Sequence, residues 1–331
     1  MTQHRPHAPA PHDIGGGDTR SLLVGTSPRL RLVVERARQL ARTDLPLLLV
    51  GDTGTGKELL ASEIHRASGR PGLLVDVNCA ALPREMVESI LFGHRRGAFT
   101  GAHEDARGLI EASDRGTLFL DEIQSLSPEA QPKLLRVLEG GEVRRLGDTS
   151  KRQIRMRTVA AAQPGILDAV REGTFRQDLL QRIAGAVIRL PALADRVEDV
   201  PLLARHFAMQ SGVAIAEDAV AYVSGLEWPG NVRELRLVIE RSACLAESGR
   251  ITRATVEAAQ ELSLTREPGI ADMGGGGLPT RERVVAACAA HGWNAEATAR
   301  ALGLGRTTLF KHLRSLGISL REERATLEHR I

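Results

Sequence analysis

The sequence contains no apolar run long enough to cross a membrane. Its longest runs, such as Leu45–Val50, fall far short of the roughly 20 residues that a spanning helix needs. The first residues, Met1–Asp13, also carry no apolar segment of the kind found in a secretory signal. We therefore expect neither a membrane partner nor export from the cell.

Cysteine is equally scarce. The three cysteines, Cys79, Cys244 and Cys288, are odd in number and far apart, so they predict neither a disulfide framework nor a metal cluster. This usage favours a reducing, cytoplasmic compartment. Charged residues make up 26% of the chain and hydrophobic residues 42%, which excludes wholesale disorder. The 331 residues are enough for about two domains, or three small ones.

Basic residues are in excess only towards the C-terminus. Residues 280–331 contain nine Arg or Lys and five Asp or Glu, a net charge of +4. Residues 1–279 contain 35 basic and 36 acidic residues, a net charge of −1. This distribution indicates a nucleic-acid partner for the C-terminal segment.

Two segments of linker composition divide the chain. Residues 1–20, rich in His, Pro and Gly, predict a disordered tail, and residues 263–279, with four consecutive glycines, predict a flexible linker. Residues 21–190 alternate strand and helix patterns, which predicts an α/β domain whose parallel sheet is sandwiched by helices. Residues 191–262 predict helices only, as a small separate subdomain. The predicted strands are Leu45–Val50, Leu73–Val77, Thr117–Leu120 and Thr158–Ala162.

A phosphate loop, Gly51–Lys57 (GDTGTGK), follows the first predicted strand. A predicted helix, Lys57–Ala67, comes directly after it, and this context is the one that a phosphate-binding loop of the Walker A type requires. The glycines let backbone N–H groups surround phosphates, and Lys57 supplies a charge for the β- and γ-phosphates. The alternative is a glycine-rich turn without a ligand. The predicted nucleotide-binding residues are Gly51, Asp52, Thr53, Gly54, Thr55, Gly56, Lys57 and Glu58.

An acidic pair, Asp121-Glu122, ends the third predicted strand in the manner of a Walker B motif. We expect it at the carboxyl edge of the sheet, beside the first strand. Asp121 can hold magnesium and Glu122 can polarise an attacking water. Glu58 stands where Ser or Thr usually binds magnesium, and its carboxylate can act on the metal directly or through water. The alternative is an acidic pair at a helix start with no ligand.

Four segments are distinctive in combination: Asp52–Glu58 (DTGTGKE), Gly97–Ala102 (GAFTGA), Leu120–Ile123 (LDEI) and Trp228–Leu235 (WPGNVREL). Together they resemble the sigma-54-dependent transcriptional activators, also called bacterial enhancer-binding proteins, which are AAA+ ATPases. The resemblance runs from about Leu23 to the C-terminus, and the GAFTGA hexapeptide is close to diagnostic. It implies an AAA+ fold with a small helical lid, ATP and Mg²⁺ as cofactors, and Glu at the position of Glu58.

The resemblance also gives a role to the GAFTGA loop. In the family this surface loop is inserted into a helix, contacts sigma-54 and moves with the nucleotide state. Glycines permit its unusual backbone angles, and an exposed Phe99 would be an aromatic anchor with Thr100 as a polar contact beside it. The alternative is an ordinary turn with Phe99 in the core. The expected contact residues are Gly97, Ala98, Phe99, Thr100, Gly101 and Ala102.

Further roles follow from matching positions. Asn78 matches a switch residue that holds Glu122 until the γ-phosphate is sensed, and its alternative is an amide cap at a strand end. Arg176 and Arg182 match the arginine fingers that reach the nucleotide of the neighbouring subunit. Their spacing alone would indicate a solvated helix face. Arg233 matches the sensor of the helical lid (residues 191–262) that contacts the nucleotide.

Two stretches depart from the family pattern. Ala162-Gln163 stands where the family usually has Thr-Asn, so either the coupling of hydrolysis to movement is altered or Gln163 reaches the same place. Ile90 and Arg95 stand where Glu is common. Because Arg95 reverses a charge beside the GAFTGA loop, the ion pairs that anchor the loop are in question.

The segment 280–331 predicts an all-α helix-turn-helix domain. Helical patterns cover Thr280–His291, Ala295–Leu302 and Arg306–Leu316, and the last one carries a basic face. The pattern is similar to the Fis-type domain of the family, which dimerises on palindromic DNA. Phe310 departs from it, and the alternative is a small helical interaction domain. The predicted DNA-binding residues are Arg306, Thr307, Thr308, Lys311, His312 and Arg314.

With the resemblance, the sequence predicts an ATP-driven activator of the sigma-54 RNA polymerase holoenzyme. It would bind double-stranded DNA upstream of promoters, assemble with itself from dimer to hexamer, and remodel the closed promoter complex. The alternatives are a DNA-binding repressor with impaired ATPase coupling, and an AAA+ unfoldase or loader. Only about 20 residues precede Ser21, too few for a receiver or GAF domain, so we expect a regulatory protein acting in trans or control through expression.

Overall fold

A computed structural model describes residues 23–247, 249–262, 281–290, 298–299, 302 and 313. The predicted tail at 1–20 and the linker at 263–279 lie outside these residues. The chain divides into two units, Met1–Ala259 and Gln260–Ile331. Within the described ranges no helix is both long enough and apolar enough to span a bilayer.

The first unit alternates strands and helices up to Arg189 and is mainly helical afterwards. Its strands are β1 Leu47–Val50, β2 Leu74–Asn78, β3 Gly93–His94, β4 Ala106–Arg107, β5 Thr117–Asp121, β6 Glu142–Val143, β7 Arg152–Gln153, β8 Arg157–Ala162, β9 Ala186–Arg189, β10 Ala214–Ile215 and β11 Arg250–Ile251. Its helices are α1 Pro28–Ala41, α2 Lys57–Ser68, α3 Val87–Phe92, α4 Leu109–Ala112, α5 Ala130–Gly140, α6 Ile166–Arg171, α7 Gln177–Ile183, α8 Val200–Gln210, α9 Glu217–Ser224, α10 Asn231–Cys244 and α11 Arg253–Glu261, the last of which crosses the unit boundary. Short 3₁₀ helices cover Ile123–Ser125 and Leu193–Asp199.

Five strands form one parallel sheet in the order β2-β5-β8-β1-β9. All four predicted strands are present, and the pattern analysis missed β9, which pairs with β1. Side chains alternate between two apolar cores. Leu48 and Val50 face the core that contains residues of α5 and α7, whereas Leu47 and Leu49 face the core under α1 and α2. The prediction of a sheet sandwiched by helices is therefore confirmed.

The strand order corrects one expectation. The acidic pair does not lie beside the first strand, because β8 pairs with both β5 and β1 and separates them. Strand β8 comes late in the sequence, and its six residues, from Arg157 to Ala162, are all buried. Its last four residues, 159–162, are small and apolar, which fits the middle of the sheet, where helices cover both faces.

The helical lid contains a small sheet that the sequence analysis did not predict. Strands β10 and β11 pair in parallel, so the expectation of helices only after Pro191 was wrong. Each strand has only two residues, too short for a periodic pattern to show. The lid core is otherwise helical. Trp228 is buried there, and its indole N–H donates to the Val223 carbonyl at 3.0 Å.

In the second unit the structure describes α12, Arg281–Ala290, which matches the first predicted helix of the C-terminal domain. Val284, Cys288, Ala299 and Leu313 form its apolar core. The six predicted DNA-binding residues and Phe310 lie outside the described residues.

A buried arginine lies at the end of the sheet where the parallel strands begin. Arg157, at the start of β8, is 1% exposed. Its guanidinium donates to the carbonyls of Ala41 and Thr43, each at 2.5 Å, and of Leu40 at 2.8 Å, where α1 ends. Burial lowers the pKa of Arg157, but a guanidinium stays protonated in proteins, so it places a positive charge at the negative end of the helix dipole.

We expect Arg157→Met to lower the free energy of unfolding by about 2–4 kcal/mol, because several buried carbonyls lose their donor. For a domain of this size the melting temperature should fall by about 5–10 °C. Arg155→Met is the matched control, because Arg155 is exposed on the same segment. Equal melting temperatures for the two variants would show that the buried contacts contribute nothing to stability.

Candidate functional site

The phosphate loop joins the end of β1 to the start of α2, as predicted. Gly54 and Gly56 have φ angles of 79° and 103°, in the region that favours glycine. The Thr55 hydroxyl donates to the Asp52 carbonyl at 2.8 Å and is held inside the loop. The Lys57 ammonium donates to the carbonyls of Gly51 at 2.7 Å and Asp52 at 3.0 Å. The loop therefore curls around the ammonium, the geometry of a phosphate cradle.

Lys57 lies within electrostatic range of the acidic pair. Burial lowers the pKa of Lys57, while the carboxylates of Asp121, Glu122 and Asp52 oppose that shift. The positive charge of Arg233 adds to the lowering. The phosphate loop, the acidic pair and the lid arginine are therefore all close enough to Lys57 to shift its pKa, although β8 separates β1 from β5.

The acidic pair has an unusual backbone. The Glu122 N–H donates to Asp121 Oδ1 at 2.9 Å, and Glu122 adopts φ 49° and ψ 46°. A left-handed conformation is uncommon for a residue other than glycine, and such residues concentrate at functional sites. It turns the chain sharply after β5, so that the side chains of Asp121 and Glu122 are both half-buried at the sheet edge.

Asn78 ends β2 directly opposite Asp121 in the strand register. Its side-chain oxygen accepts from the N–H groups of Ala80 at 3.0 Å and Ala81 at 3.2 Å. In this conformation Asn78 is the amide cap of the alternative interpretation. The following amide, of Cys79, donates to the Asp121 carbonyl at 2.9 Å and locks the two strand ends together.

Asp76 is an exposed acidic residue near this site that the sequence analysis did not single out. It lies on β2, two positions before Asn78 and therefore on the same face of the sheet. Desolvation, and then the carboxylates of Glu58 and Asp121, raise the pKa of Asp76 to about 6. An acidic residue inside an apolar alternating strand was the available signal. The same surroundings raise the pKa of the buried Cys79 thiol to about 12, mainly through desolvation.

These residues fit a nucleotide with magnesium. Among the described residues no three His, Cys, Asp or Glu side chains come together as a complete metal site. Mg²⁺ characteristically binds to one or two protein carboxylates together with phosphate oxygens and waters. Asp121 and Glu58 supply carboxylates of the right kind next to a loop whose amides and lysine suit phosphate.

The other predicted nucleotide residues lie around the same edge. Arg233, near the start of α10, is exposed, and a Cβ added to Gly54 would lie 3.0 Å from its Cβ. Gln163 is exposed directly after β8, between the strands that carry the phosphate loop and the acidic pair. Ala162 is buried, and its carbonyl accepts from the Gly51 N–H at 3.3 Å.

The two arginines predicted as fingers are exposed and bonded within their own subunit. Arg176 makes a two-pronged ion pair with Asp178, at 2.7 and 3.0 Å. Arg182 donates twice to the Leu138 carbonyl at the end of α5, at 2.7 and 3.0 Å. Neither contact is buried, so both can be exchanged at small cost in free energy.

The GAFTGA loop is the tip of a hairpin inserted between α3 and α4, with β3 and β4 as its antiparallel base. Gly97 and Gly101 have φ angles of 82° and 101°. Phe99 is 43% exposed, and its ring lies edge-on to the His94 ring at 5.0 Å. The alternative that placed Phe99 in the core was therefore wrong. Thr100 is exposed beside it, Ala98 is half-buried and Ala102 is buried.

An ion pair braces this hairpin in place of the missing glutamates. Arg95 pairs with Asp105 across the base of the loop, and the Arg96 N–H donates to the same carboxylate at 2.8 Å. Hydrogen bonding from Arg96, and then the charge of Arg95, lower the pKa of Asp105. The charge reversal at Arg95 thus retains an anchoring ion pair. Ile90 is half-buried on α3.

A second hairpin, β6–β7, supports the first, which the sequence analysis did not foresee. The Arg95 N–H donates to the Leu146 carbonyl at 2.9 Å. A Cβ added to Gly147 would lie 2.9 Å from the Cβ of Ala98, so glycine is required for this approach. Contacts between segments about 50 residues apart leave no local pattern in a sequence.

Known proteins resemble this chain over most of its length. The family model of the sigma-54 interaction domain matches residues 23–189, and that of the AAA+ ATPase lid domain matches residues 194–268. The Nif-specific regulatory protein of Azotobacter vinelandii is 39% identical over 316 residues, which are 91% of this chain and 60% of that protein. The transcriptional regulatory protein GlrR of Escherichia coli strain K12 is 42% identical over 257 residues, 75% and 58% of the respective chains.

A solved structure shares the fold. NtrX from Brucella abortus, crystallised in complex with ATP, is 32% identical with a TM-score of 0.67, covering 90% of this chain and 70% of that one. The predicted AAA+ architecture is confirmed by these matches. The chain spans about three fifths of the length of the two curated relatives.

The exposure of Phe99 predicts that its side chain contributes little to folding. We expect Phe99→Ala to change the melting temperature by no more than about 2 °C. Phe92→Ala is the matched control on α3, because Phe92 is 3% exposed and its loss should cost about 3–5 kcal/mol. Thermal unfolding of both variants decides the point: a comparable loss in Phe99→Ala would mean that the ring is a core residue.

Proposed function

Because the chain belongs to the family of sigma-54-dependent transcriptional activators with an AAA+ domain, we propose that it uses ATP hydrolysis to open promoters bound by sigma-54 RNA polymerase. One observation carries the proposal. A complete phosphate loop and acidic pair share a structural unit with a GAFTGA hairpin whose aromatic residue faces solvent. The first can hydrolyse ATP, and the second can contact a partner.

In the proposed site the amides of the phosphate loop and the Lys57 ammonium bind the phosphates of ATP. Asp121 and Glu58 would hold Mg²⁺, which would supply neutralisation of the phosphate charge. Glu122 accepts a hydrogen bond from the attacking water and orients it toward the γ-phosphate. Arg233 closes on the nucleotide from the lid.

Asn78 is proposed to control Glu122. Its side chain now caps the turn at Ala80 and Ala81, and rotation about its side-chain bonds would bring its amide from this cap towards the neighbouring strand end that carries Glu122. A residue with two alternative sets of partners is what a nucleotide-dependent switch needs. Gln163 follows β8 and is one methylene longer than Asn. It is proposed to sense the γ-phosphate from the end of that strand.

Assembly and DNA binding complete the proposal. Arg176 and Arg182 would leave their present partners to reach the nucleotide of a neighbouring subunit in a hexameric ring. The proposed ATPase parts are residues 21–190 and the helical lid at 191–262. Residues 280–331 would bind upstream DNA as a Fis-type domain, through the six residues named above. The GAFTGA loop would then press on the closed promoter complex from a ring tethered to the DNA.

The catalytic assignment predicts that Glu122→Gln retains ATP binding within about threefold but lowers the hydrolysis rate at least tenfold, which corresponds to about 1.4 kcal/mol of barrier. Lys57→Ala should instead weaken ATP binding itself. Glu139→Gln, an exposed change on α5, is the control that should alter neither quantity. Steady-state hydrolysis and fluorescent-nucleotide titration measure the two effects. Undiminished hydrolysis by Glu122→Gln contradicts the assignment.

The partner assignment predicts that Phe99→Ala hydrolyses ATP and binds DNA as wild type does, yet opens sigma-54 promoters at least about thirtyfold more slowly. An aromatic anchor at a contact centre contributes about 2–4 kcal/mol. Met209→Ala, a change in the lid at an apolar residue that is 70% exposed, should open promoters normally. Open-complex formation on supercoiled DNA is the measurement. Full opening by Phe99→Ala refutes the activator assignment, and DNA binding by wild type without opening supports the repressor.

A further inference from the structure

The outward-facing carbonyls of the phosphate loop are held by the helical lid. Three consecutive carbonyls accept hydrogen bonds, each of 3.0 Å: Thr53 from the Asn231 amide Nδ2, Gly54 from the Val232 backbone N–H, and Thr55 from Arg196 Nη2. All three donors belong to the lid, two at the start of α10 and one in the 3₁₀ helix at 193–199.

Peptide geometry links these carbonyls to the inner side of the loop. In a planar trans peptide the C=O of one residue points opposite to the N–H of the next. Fixing the carbonyls of Thr53, Gly54 and Thr55 on the outside therefore fixes the N–H groups of Gly54, Thr55 and Gly56 on the inside. The Thr55 N–H also makes a long contact of 3.4 Å to the Asp52 carbonyl.

Asn231 is built to hold this position. It is 3% exposed and has φ 55°, a left-handed conformation that Asn tolerates better than most residues. Its Oδ1 accepts from the Leu193 N–H at 2.7 Å, and its Nδ2 also donates to the Pro229 carbonyl at 3.3 Å. With both ends of the amide engaged, the side chain has one orientation, which points a donor at the loop.

Arg196 is anchored from the other side. It is 1% exposed, and its Nη1 lies 3.8 Å from Oδ2 of Asp199, which is fully buried. Oδ1 of Asp199 accepts from the backbone N–H groups of Thr26 at 2.6 Å and Ser27 at 2.9 Å, just before α1. Desolvation of both charges opposes this ion pair, and the hydrogen bonds to Asp199 Oδ1 connect it to the segment that enters α1.

We infer that Asn231 and Arg196 are positioning residues for ATP, which orient the inner amides of the phosphate loop by holding its outer carbonyls. The inference rests on the proposed function in that ATP is the ligand of this loop. It adds that the helical lid orients the amides of the phosphate loop through hydrogen bonds to the carbonyls of the loop. This effect is separate from the proposed contact of Arg233 with nucleotide. By thermodynamic reciprocity, phosphate binding must then also stabilise the lid in this position.

The test uses Asn231→Gly in the full chain. Glycine accepts the left-handed backbone without strain, so this variant removes the side-chain hydrogen bonds and leaves the turn. We expect amide hydrogen exchange in the peptide covering residues 51–57 to become at least tenfold faster in the nucleotide-free protein. We also expect ATP affinity to fall about tenfold, with the maximal hydrolysis rate changed less than the KM.

Arg196→Met and Arg157→Met form a matched pair for the second donor. Both replace a guanidinium that is 1% exposed and donates to backbone carbonyls, but only Arg196 contacts the phosphate loop. Both variants should lose stability. Only Arg196→Met should accelerate exchange in the loop and weaken ATP binding, measured at a temperature where both remain folded.

Each result has a distinct meaning. If Asn231→Gly leaves amide exchange in the phosphate loop unchanged and ATP affinity within twofold of wild type, the inference is overturned. The proposed ATPase function is not contradicted by that result. Equal weakening of ATP binding by Arg157→Met overturns it as well, because general destabilisation would then explain the effect. If wild type binds no ATP, the proposed function fails, and the exchange measurement alone still decides whether the lid holds the loop.

Discussion

A loop that binds phosphate through its amides must turn its carbonyls the other way, and each of those carbonyls needs a donor once it is buried. In this molecule the loop itself and the helical lid both supply such donors. The carbonyls of Gly51 and Asp52, at the start of the loop, are the exception, because they accept from the Lys57 ammonium and the Thr55 hydroxyl inside it. The helical lid donates hydrogen bonds to the next three carbonyls, those of Thr53, Gly54 and Thr55. The lid is thus a structural part of the phosphate site even though it lies about 180 residues further along the chain.

A continuous chain segment links the site to the GAFTGA hairpin. Strands β2 and β5 are neighbours whose ends carry Asn78 and the acidic pair, and the chain between them contains α3, the hairpin and α4. The segment that holds Phe99 therefore leaves the sheet directly after Asn78 and returns to it at Thr117, the start of the strand whose other end carries the acidic pair. The Arg95–Asp105 pair and the β6–β7 hairpin stiffen the projecting part. A stiff hairpin transmits a displacement, whereas a loose loop would absorb it.

Local patterns in the sequence predicted four of the five strands of the large sheet, the phosphate loop and the acidic pair, because each of these is a short segment with its own chemistry. The exposed position of the GAFTGA loop was expected from the family resemblance. What they could not predict was non-local. The insertion of β8 between β1 and β5 depends on pairing across more than a hundred residues. The pKa of Asp76 is raised by desolvation and then by Glu58 and Asp121, and all three effects arise only in the folded chain. The support of the loop by Asn231 depends in the same way on the packing of the lid.

The two buried arginines show why such residues escape a pattern analysis. A charged side chain is expected at the surface, yet Arg157 and Arg196 each place a planar set of donors among the carbonyls of irregular backbone, where no strand or helix can satisfy them. Lysine could not do the same, because its ammonium reaches fewer fixed directions. Arg157 does this at the edge where the strands begin and Arg196 at the edge where they end. At the first edge the consequence is confined to stability, since only the end of α1 and the residues that follow it are held. At the second edge the Thr55 carbonyl held by Arg196 shares a peptide plane with an inner N–H of the phosphate loop. The same kind of arginine–carbonyl hydrogen bond therefore orients an amide that is proposed to bind ATP.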